Sequence, residues 1–294
     1  QTPDGMDWYQ GTADAVRQSM RRFIHRRPDY VVILSGDHLY QMDYRDLLRT
    51  HVAKDADVTI SVLPVARDRC ADFGILQAND EGGIISFVEK PTQPEELNRL
   101  KVPPKLFEDF GINPGHREYV ASMGIYAFRT QALFDALREN PSPDFGHDII
   151  PGMVGNKRVF AHFFDGYWED IGTIKAFFEA NLALTEPKAH FKLYDVNFPV
   201  YTNSRYLPAS KVHDCIIKNS IISDGCIIFK ASIERSVIGI RSFIEPECEI
   251  KNAIIMGSDY YDFEVRTDGQ LLGIGENTVI HNCIIDKNVC VGKN

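Results

Sequence analysis

The stretch IIKNSIISDGCIIFKASIERSVIGIRSFIEPECEI, residues 216–250, decides the fold of the second part of this chain. Ile216, Ile222 and Ile228 stand six apart, and so do Ile221, Ile227 and Ile233, and Ile238, Ile244 and Ile250. Val279, Ile285 and Val291 keep the same step further on. A six-residue period fits neither an α-helix nor an ordinary hairpin strand. It fits a parallel β-helix, in which each hexapeptide forms one flat side of a triangular coil. The aliphatic residues are then expected to point into the coil, with Ile222, Ile227, Ile244 and Ile285 as examples. The phrases IGEN (274–277), IDKN (285–288) and VGKN (291–294) end on Asn277, Asn288 and Asn294. Together with Gly225 these are the residue types that tolerate positive φ at a corner. A β-sandwich with coincidental spacing is the alternative, and four triplets in step weigh against it. MGSDYYDFEVRTDGQLLG (256–273) breaks the period and is expected to leave one coil as a loop.

Upstream, the periods are different. GTADAVRQSMRRFI (11–24) carries Ala15, Val16, Met20, Phe23 and Ile24 at helical spacing, with Thr12 and Asp14 as start signals. YVVIL (30–34) reads as a buried strand, DYRDLLRTHVAKDA (43–56) as a helix and DVTISVLPV (57–65) as another strand. GIISFVEKP (83–91) and ASMGIYAF (121–128) read as strands, and TIKAFFEANLALTE (173–186) as a closing helix. Near-continuous apolar strands alternating with helices imply an α/β domain with a mostly parallel sheet. The expected division is residues 1–190, a linker over 191–206, and the coil over 207–294.

Bulk properties exclude several classes. The chain has 294 residues, 44% hydrophobic and 25% charged, with a net charge of −9. That charge argues against a general nucleic-acid binder, which needs clustered Lys and Arg. No apolar run approaches the roughly 20 residues of a membrane helix, and no leader peptide is expected. The six cysteines at 70, 215, 226, 248, 283 and 290 show no CxxC spacing. They read as small buried residues in a reducing compartment.

Three motifs suggest chemistry. In YVVILSGDHLY (30–40), Asp37 follows an apolar strand, where ligands of open α/β sheets bind. A carboxylate there can hold a divalent metal on a phosphate, or can simply cap the next helix. GYWEDIGT (166–173) offers a second acid, Asp170, beside Trp168; it too could be a helix cap. FVEKP (87–91) places Glu89 and Lys90 at a strand end. Glu can accept sugar hydroxyls while Lys neutralises a phosphate, although a surface ion pair has the same sequence.

WYQGTADAV, SGDHLY, FGIL, FVEKP, ASMGIYAF, YWEDIGT and the hexapeptide region stand in one order. Together they resemble the ADP-glucose pyrophosphorylase (glucose-1-phosphate adenylyltransferase) family of bacteria and plants. The resemblance implies a Rossmann-like α/β nucleotidyltransferase domain followed by a left-handed parallel β-helix. The implied reaction is adenylyl transfer from ATP to α-D-glucose 1-phosphate, the committed step of glycogen or starch synthesis. It implies Mg²⁺ held by Asp37 and Asp170, with Lys90 as a further catalytic residue. Gly74, Glu89, Lys90, Ser122 and Trp168 resemble the sugar-phosphate site, and Gln1, Tyr9 and Gly11 the adenine-side segment. Lys287 matches a lysine linked to an anionic allosteric effector; His147 is given no role. A homotetramer or heterotetramer in a bacterial cytoplasm or a plastid is implied, with neither nucleic acid nor membrane as partner.

The family opens with a Gly-rich loop of the GGxGTRL kind and a lysine in a KPA segment, and neither has a counterpart here. The first strand of the sheet and the later coils are expected to be missing as well, leaving the chain incomplete for catalysis. The alternatives are a uridylyl- or thymidylyltransferase, a non-catalytic regulatory subunit of the same enzyme, and a hexapeptide acyltransferase, which needs a His between coils as base and is disfavoured because His213 and His281 lie in different segments.

Overall fold

The computed structural model describes residues 8–261 and 272–293. Gln1, Asn294 and most of the loop expected over 256–273 lie outside the described residues. The chain divides into two compact units, Gln1–Gly36 with Met42–Gly166 and Asp37–Gln41 with Tyr167–Asn294.

In chain order the first elements are helices α1 (Thr12–Ser19) and α2 (Arg21–Ile24), strands β1 (Tyr30–Ile33) and β2 (His38–Tyr40), helix α3 (Tyr44–Ala53) and strand β3 (Val58–Val65). Strands β4 (Gly74–Ala78) and β5 (Ile84–Glu89), helices α4 (Pro94–Leu100) and α5 (Pro104–Asp109), strand β6 (Tyr119–Arg129) and helix α6 (Thr130–Glu139) follow. After them come helix α7 (Ile150–Met153), strands β7 (Val159–Phe163) and β8 (Trp168–Asp170) and helix α8 (Ile174–Ala183). The single helix expected over 11–24 is divided at Met20, whose N–H reaches back to the Arg17 carbonyl, three residues away instead of four. Asp43 caps α3 by accepting the Arg45 N–H.

In the first unit the sheet runs β5-β4-β6-β3-β7, with β1 also paired to β6. It is mixed, which corrects the mostly parallel expectation. β6 is antiparallel to β1, β3 and β4, and only the β3–β7 pair is parallel among the described residues. The β1–α3–β3 crossover survives, but it skips a slot that β6 fills. The strand at 30–34 is not buried as expected: Tyr30 and Leu34 are exposed. Among the described residues β1 pairs only with β6, so one flank is open. β3 and β6 form the centre, with Val58, Ile60, Val62, Val120 and Phe128 packed against Phe107 and Leu133.

His51 on α3 is 1% exposed, its Nδ1 lying 2.8 Å from the Thr59 hydroxyl on β3. Burial, helped by Arg129, lowers its pKa to about 4. The folded value is below the ordinary value near 6.5, so this contribution is whole above pH 6.5 and is lost as pH falls from there towards 4. The loss is about 3 kcal/mol at the lower end. Urea midpoints at pH 7 and pH 4.5 should therefore fall further apart in the wild type than in His51→Leu. Equal slopes in the two proteins would exclude His51 as the titrating group.

In the second unit, β2 pairs antiparallel with β8, and Thr173 caps α8 by accepting the Ala176 N–H at 3.1 Å. From Lys211 onward the strands stack as parallel coils. Ile227 pairs with Phe243 sixteen residues on, and Ser232 with Glu249 seventeen on. Ile244 pairs with Ile274, a much longer step, so one coil carries the expected insertion. The interior is Ile228, Ile233, Ile238, Ile244, Ile250, Ile255, Ile274 and Ile280, with Ile222, Ile285 and Val291 packed against it. Ile227 does not join this cluster, and Ile216 and Val279 are exposed, which corrects their inward assignment. The physical reason is that inward positions advance by five or six, not by a strict six. Corners fall where expected: Asn277, Asn288 and Gly225 have φ of 61°, 59° and 76°. Lys230, Arg235, Arg241 and Glu247 are also left-handed, so the stack imposes that conformation on residues that do not favour it. Cys226 and Cys248 are interior, whereas Cys215 and Cys283 are only partly buried against the core.

Candidate active site

In the first unit the chemistry gathers around Glu89. It ends β5 and stands opposite Gly74 in the β4–β5 ladder. A Cβ on Gly74 would lie 2.8 Å from Glu89 Oε2 and 2.5 Å from Phe87 Cζ. A Cβ on Gly146, in the turn Phe145–Ile149, would lie 2.8 Å from the same oxygen. The carboxylate thus lies between two residues that must lack side chains. Burial raises its pKa; Lys90 opposes this, Asp144 adds to it and His147 opposes it. Lys90 is exposed, and its backbone adopts φ of 46° while its N–H bonds the Phe73 carbonyl at 3.1 Å. Left-handed backbone costs a non-glycine residue about 1–2 kcal/mol.

Ser122 and Tyr126 share β6. The buried Ser122 accepts the Gly124 N–H at 3.2 Å. Burial pushes the Tyr126 phenol up to about 12, with Glu89 and Asp144 adding to the rise. The phenol therefore stays protonated at neutral pH. Asp144 accepts the His147 N–H at 2.9 Å and the Thr12 hydroxyl at 3.2 Å. Thr12 in turn accepts the Phe145 N–H at 3.0 Å. Gly11 approaches so closely that a Cβ would stand 2.5 Å from the Pro143 carbonyl oxygen. The start of α1 is thereby tied to the loop carrying Asp144 and Gly146. Tyr9 is exposed at the described start of the chain.

Tyr126, Asp144 and Gly146 escaped the sequence reading. One signal could have found two of them: DFG occurs at 72–74 and again at 144–146. Both glycines face the same carboxylate oxygen.

In the second unit, Asp37 and Asp170 come together. The β2–β8 ladder sets His38 opposite Asp170 and Tyr40 opposite Trp168. The Asp37 carbonyl accepts the Ile171 N–H at 2.9 Å, and Asp170 Oδ1 accepts the Gly172 N–H at 2.8 Å. A Cβ on Gly172 would lie 3.0 Å from an oxygen of each carboxylate. Neither acid caps a helix, because Asp43 and Thr173 do that work. The Trp168 ring is buried and meets the His38 ring edge-on at 4.9 Å.

The donor set suits a hard divalent cation. Two partly exposed carboxylates with a glycine beside them leave the other coordination positions to water and substrate phosphate, the habit of Mg²⁺. Among the described residues no cluster of three or more His, Cys, Asp or Glu could hold a metal.

Lys287 is exposed next to the corner residue Asn288, and its Nζ bonds Asp259 at 2.9 Å. Asn288 donates to the other Asp259 oxygen at 3.0 Å, and these two bonds hold the Asp259 pKa below its ordinary value. His213 stacks on Phe229, and His281 lies 3.0 Å from Glu249. No described helix is long and apolar enough to cross a membrane.

Residues 1–187 match the nucleotidyl transferase family, and residues 205–294 match the GLGC left-handed parallel β-helix domain. The chain belongs to the nucleotidyl transferase family and joins that domain to a GLGC-type left-handed coil, the architecture of ADP-glucose pyrophosphorylase.

Proposed function

We propose that the full protein transfers an adenylyl group from ATP to α-D-glucose 1-phosphate. A phosphate oxygen of the sugar phosphate attacks the α-phosphorus of ATP, the bond to the β-phosphate oxygen breaks, and ADP-glucose and pyrophosphate leave. The observation that carries the reading is the union of a nucleotidyl transferase domain with a GLGC-type coil in one chain.

The attacking group is already an anion at neutral pH, so no general base is required. The barrier lies in bringing anions together in line, which positioning and charge neutralisation lower. Asp37 and Asp170 would hold the cation. Bound Mg²⁺ would neutralise charge on the transferring phosphoryl group. Glu89, half-buried between Gly74 and Gly146, would accept sugar hydroxyls, with Ser122 and Tyr126 as neighbouring hydroxyls. Lys90 would meet the sugar phosphate, and Trp168 would wall the acidic pair.

Pyrophosphate release by the full-length protein, with glucose 1-phosphate and ATP, UTP or dTTP in turn, tests the reading. ATP should be preferred by more than tenfold. Preference for UTP or dTTP would replace the adenylyl assignment, and no turnover with any of the three would favour a regulatory subunit. Lys90→Ala should raise KM for glucose 1-phosphate by at least about tenfold with little change for ATP, because one lost charge contact is worth about 1.5–3 kcal/mol. Equal changes for both substrates would move Lys90 out of the sugar-phosphate site.

Lys287 is proposed to meet an anionic effector by exchanging its bond to Asp259 for a phosphate. Lys287→Ala should raise the half-activating concentration of a sugar bisphosphate or phosphoglycerate while leaving unactivated turnover as it was. An unchanged half-activating concentration would leave Lys287 as a tie between coils only.

A further inference from the structure

His38 occupies a place that neither the fold nor the reaction has used. Its Nε2 lies 3.6 Å from Asp37 Oδ1 and 4.0 Å from Asp170 Oδ2. The other two oxygens face Gly172: Asp170 Oδ1 accepts its N–H, and Asp37 Oδ2 lies 3.0 Å from the point where its Cβ would stand. Each carboxylate therefore shows one oxygen to His38 and one to Gly172. Two oxygens each 3.0 Å from that one point are at most 6 Å apart. Two acids so close repel each other unless something between them offers positive charge or donors.

The ring is well placed to be that donor. It is 9% exposed, set by the β2–β8 ladder and braced edge-on by Trp168. Its Nδ1 is buried with no hydrogen-bond partner among the described residues. Nε2 is the ring atom that faces both carboxylates, and with the proton there the ring can donate to either. At 3.6 Å and 4.0 Å neither contact is itself a hydrogen bond. A small rotation of either carboxylate would close one hydrogen bond. On the Gly172 side, Asp37 Oδ2 and the second lone pair of Asp170 Oδ1 would remain for a cation.

We propose that His38 is a positioning residue that presets Asp37 and Asp170 for a divalent cation. The proposal rests on the reading of those two acids as the cation's ligands. An imidazole that donates to a metal-binding carboxylate fixes its orientation, and loss of such an outer partner typically weakens metal binding about 10–100-fold.

The test is Mn²⁺ binding to the full-length protein, followed by electron paramagnetic resonance with the metal alone, in wild type, Asp37→Asn, His38→Phe, His38→Gln and His38→Asn. His38→Phe keeps the ring against Trp168 and loses the donor, and its Kd should rise about tenfold or more. His38→Gln places an amide donor where Nε2 stood and should stay within about threefold of wild type, and His38→Asn, whose amide reaches only to the Nδ1 position, should resemble His38→Phe. A purely structural histidine would not separate Gln from Asn. If His38→Phe does not fold, the Gln and Asn pair decides. Equal affinity in wild type and all His38 variants, with Asp37→Asn weakened, overturns the role of His38 and leaves the metal reading standing. Undetectable binding in wild type, or unchanged binding in Asp37→Asn, removes the metal reading first and this proposal with it.

Discussion

Asp37→Asn in the full-length protein should lower turnover about a thousandfold and leave the thermal midpoint within a few degrees of wild type. The stability half of this expectation comes from exposure. The Asp37 side chain is 62% exposed, and the contact that ties it to the loop after β8 is its backbone carbonyl, which an asparagine keeps. The activity half comes from charge. Unit charges about 4 Å apart interact by about 4 kcal/mol at an effective dielectric near 20. Each 1.36 kcal/mol of barrier is a factor of ten, so the loss is about three orders of magnitude. Asp170→Asn should behave alike, since an amide oxygen can still accept the Gly172 N–H. Groups that hold one cation act as a unit, so the double variant should be scarcely worse than either single. A fall of less than tenfold in Asp37→Asn would show that the acid is not a ligand of a catalytic cation.

Part of this site could be read from the sequence because strand ends announce themselves. An apolar run ending in Gly-Asp, and a Trp-Glu-Asp before Gly-Thr, each mark a carboxylate with no packing role. What the sequence did not show is that β2 and β8 pair, which is what sets the two acids beside one histidine. Those strands, His38–Tyr40 and Trp168–Asp170, are too short for any periodicity to show. A different limit hid the place of β6, an eleven-residue strand whose existence was legible. Apolar strands with helices between them indicate crossovers, but not that a later strand slips antiparallel between the first two. In DFGHDIIP the titratable residue beside Gly146 is His147, which is exposed with its Nδ1 2.9 Å from Asp148, and nothing in that stretch marks the glycine as the residue that meets Glu89. The coil was plain from its aliphatic period, but its phase was not. Where two isoleucines adjoin, as at 227 and 228, composition is equal and only the corner decides which turns inward.

That phase leads to the second large expectation. Ile244→Asp should abolish folding of the coil, whereas Ile227→Asp should cost about 1–2 kcal/mol at most. Ile244 is fully buried at the centre of the stack, in register with Ile228 on one side and Ile274 on the other. Removing the side chain from such a place costs about 2–5 kcal/mol. Burying a carboxylate with no donor within reach adds several kcal/mol more, or forces it to take up a proton. The sum is comparable to the 5–15 kcal/mol that holds a whole domain together. Ile227 differs because it stands outside the buried cluster and is only partly covered. The strict six-residue reading puts both residues inside and expects equal damage. Circular dichroism and urea denaturation of the two variants separate the readings, with a native-like Ile227→Asp beside a collapsed Ile244→Asp supporting the observed phase. Equal collapse would restore the strict period, and two native-like proteins would mean that the coil is not held by its aliphatic interior.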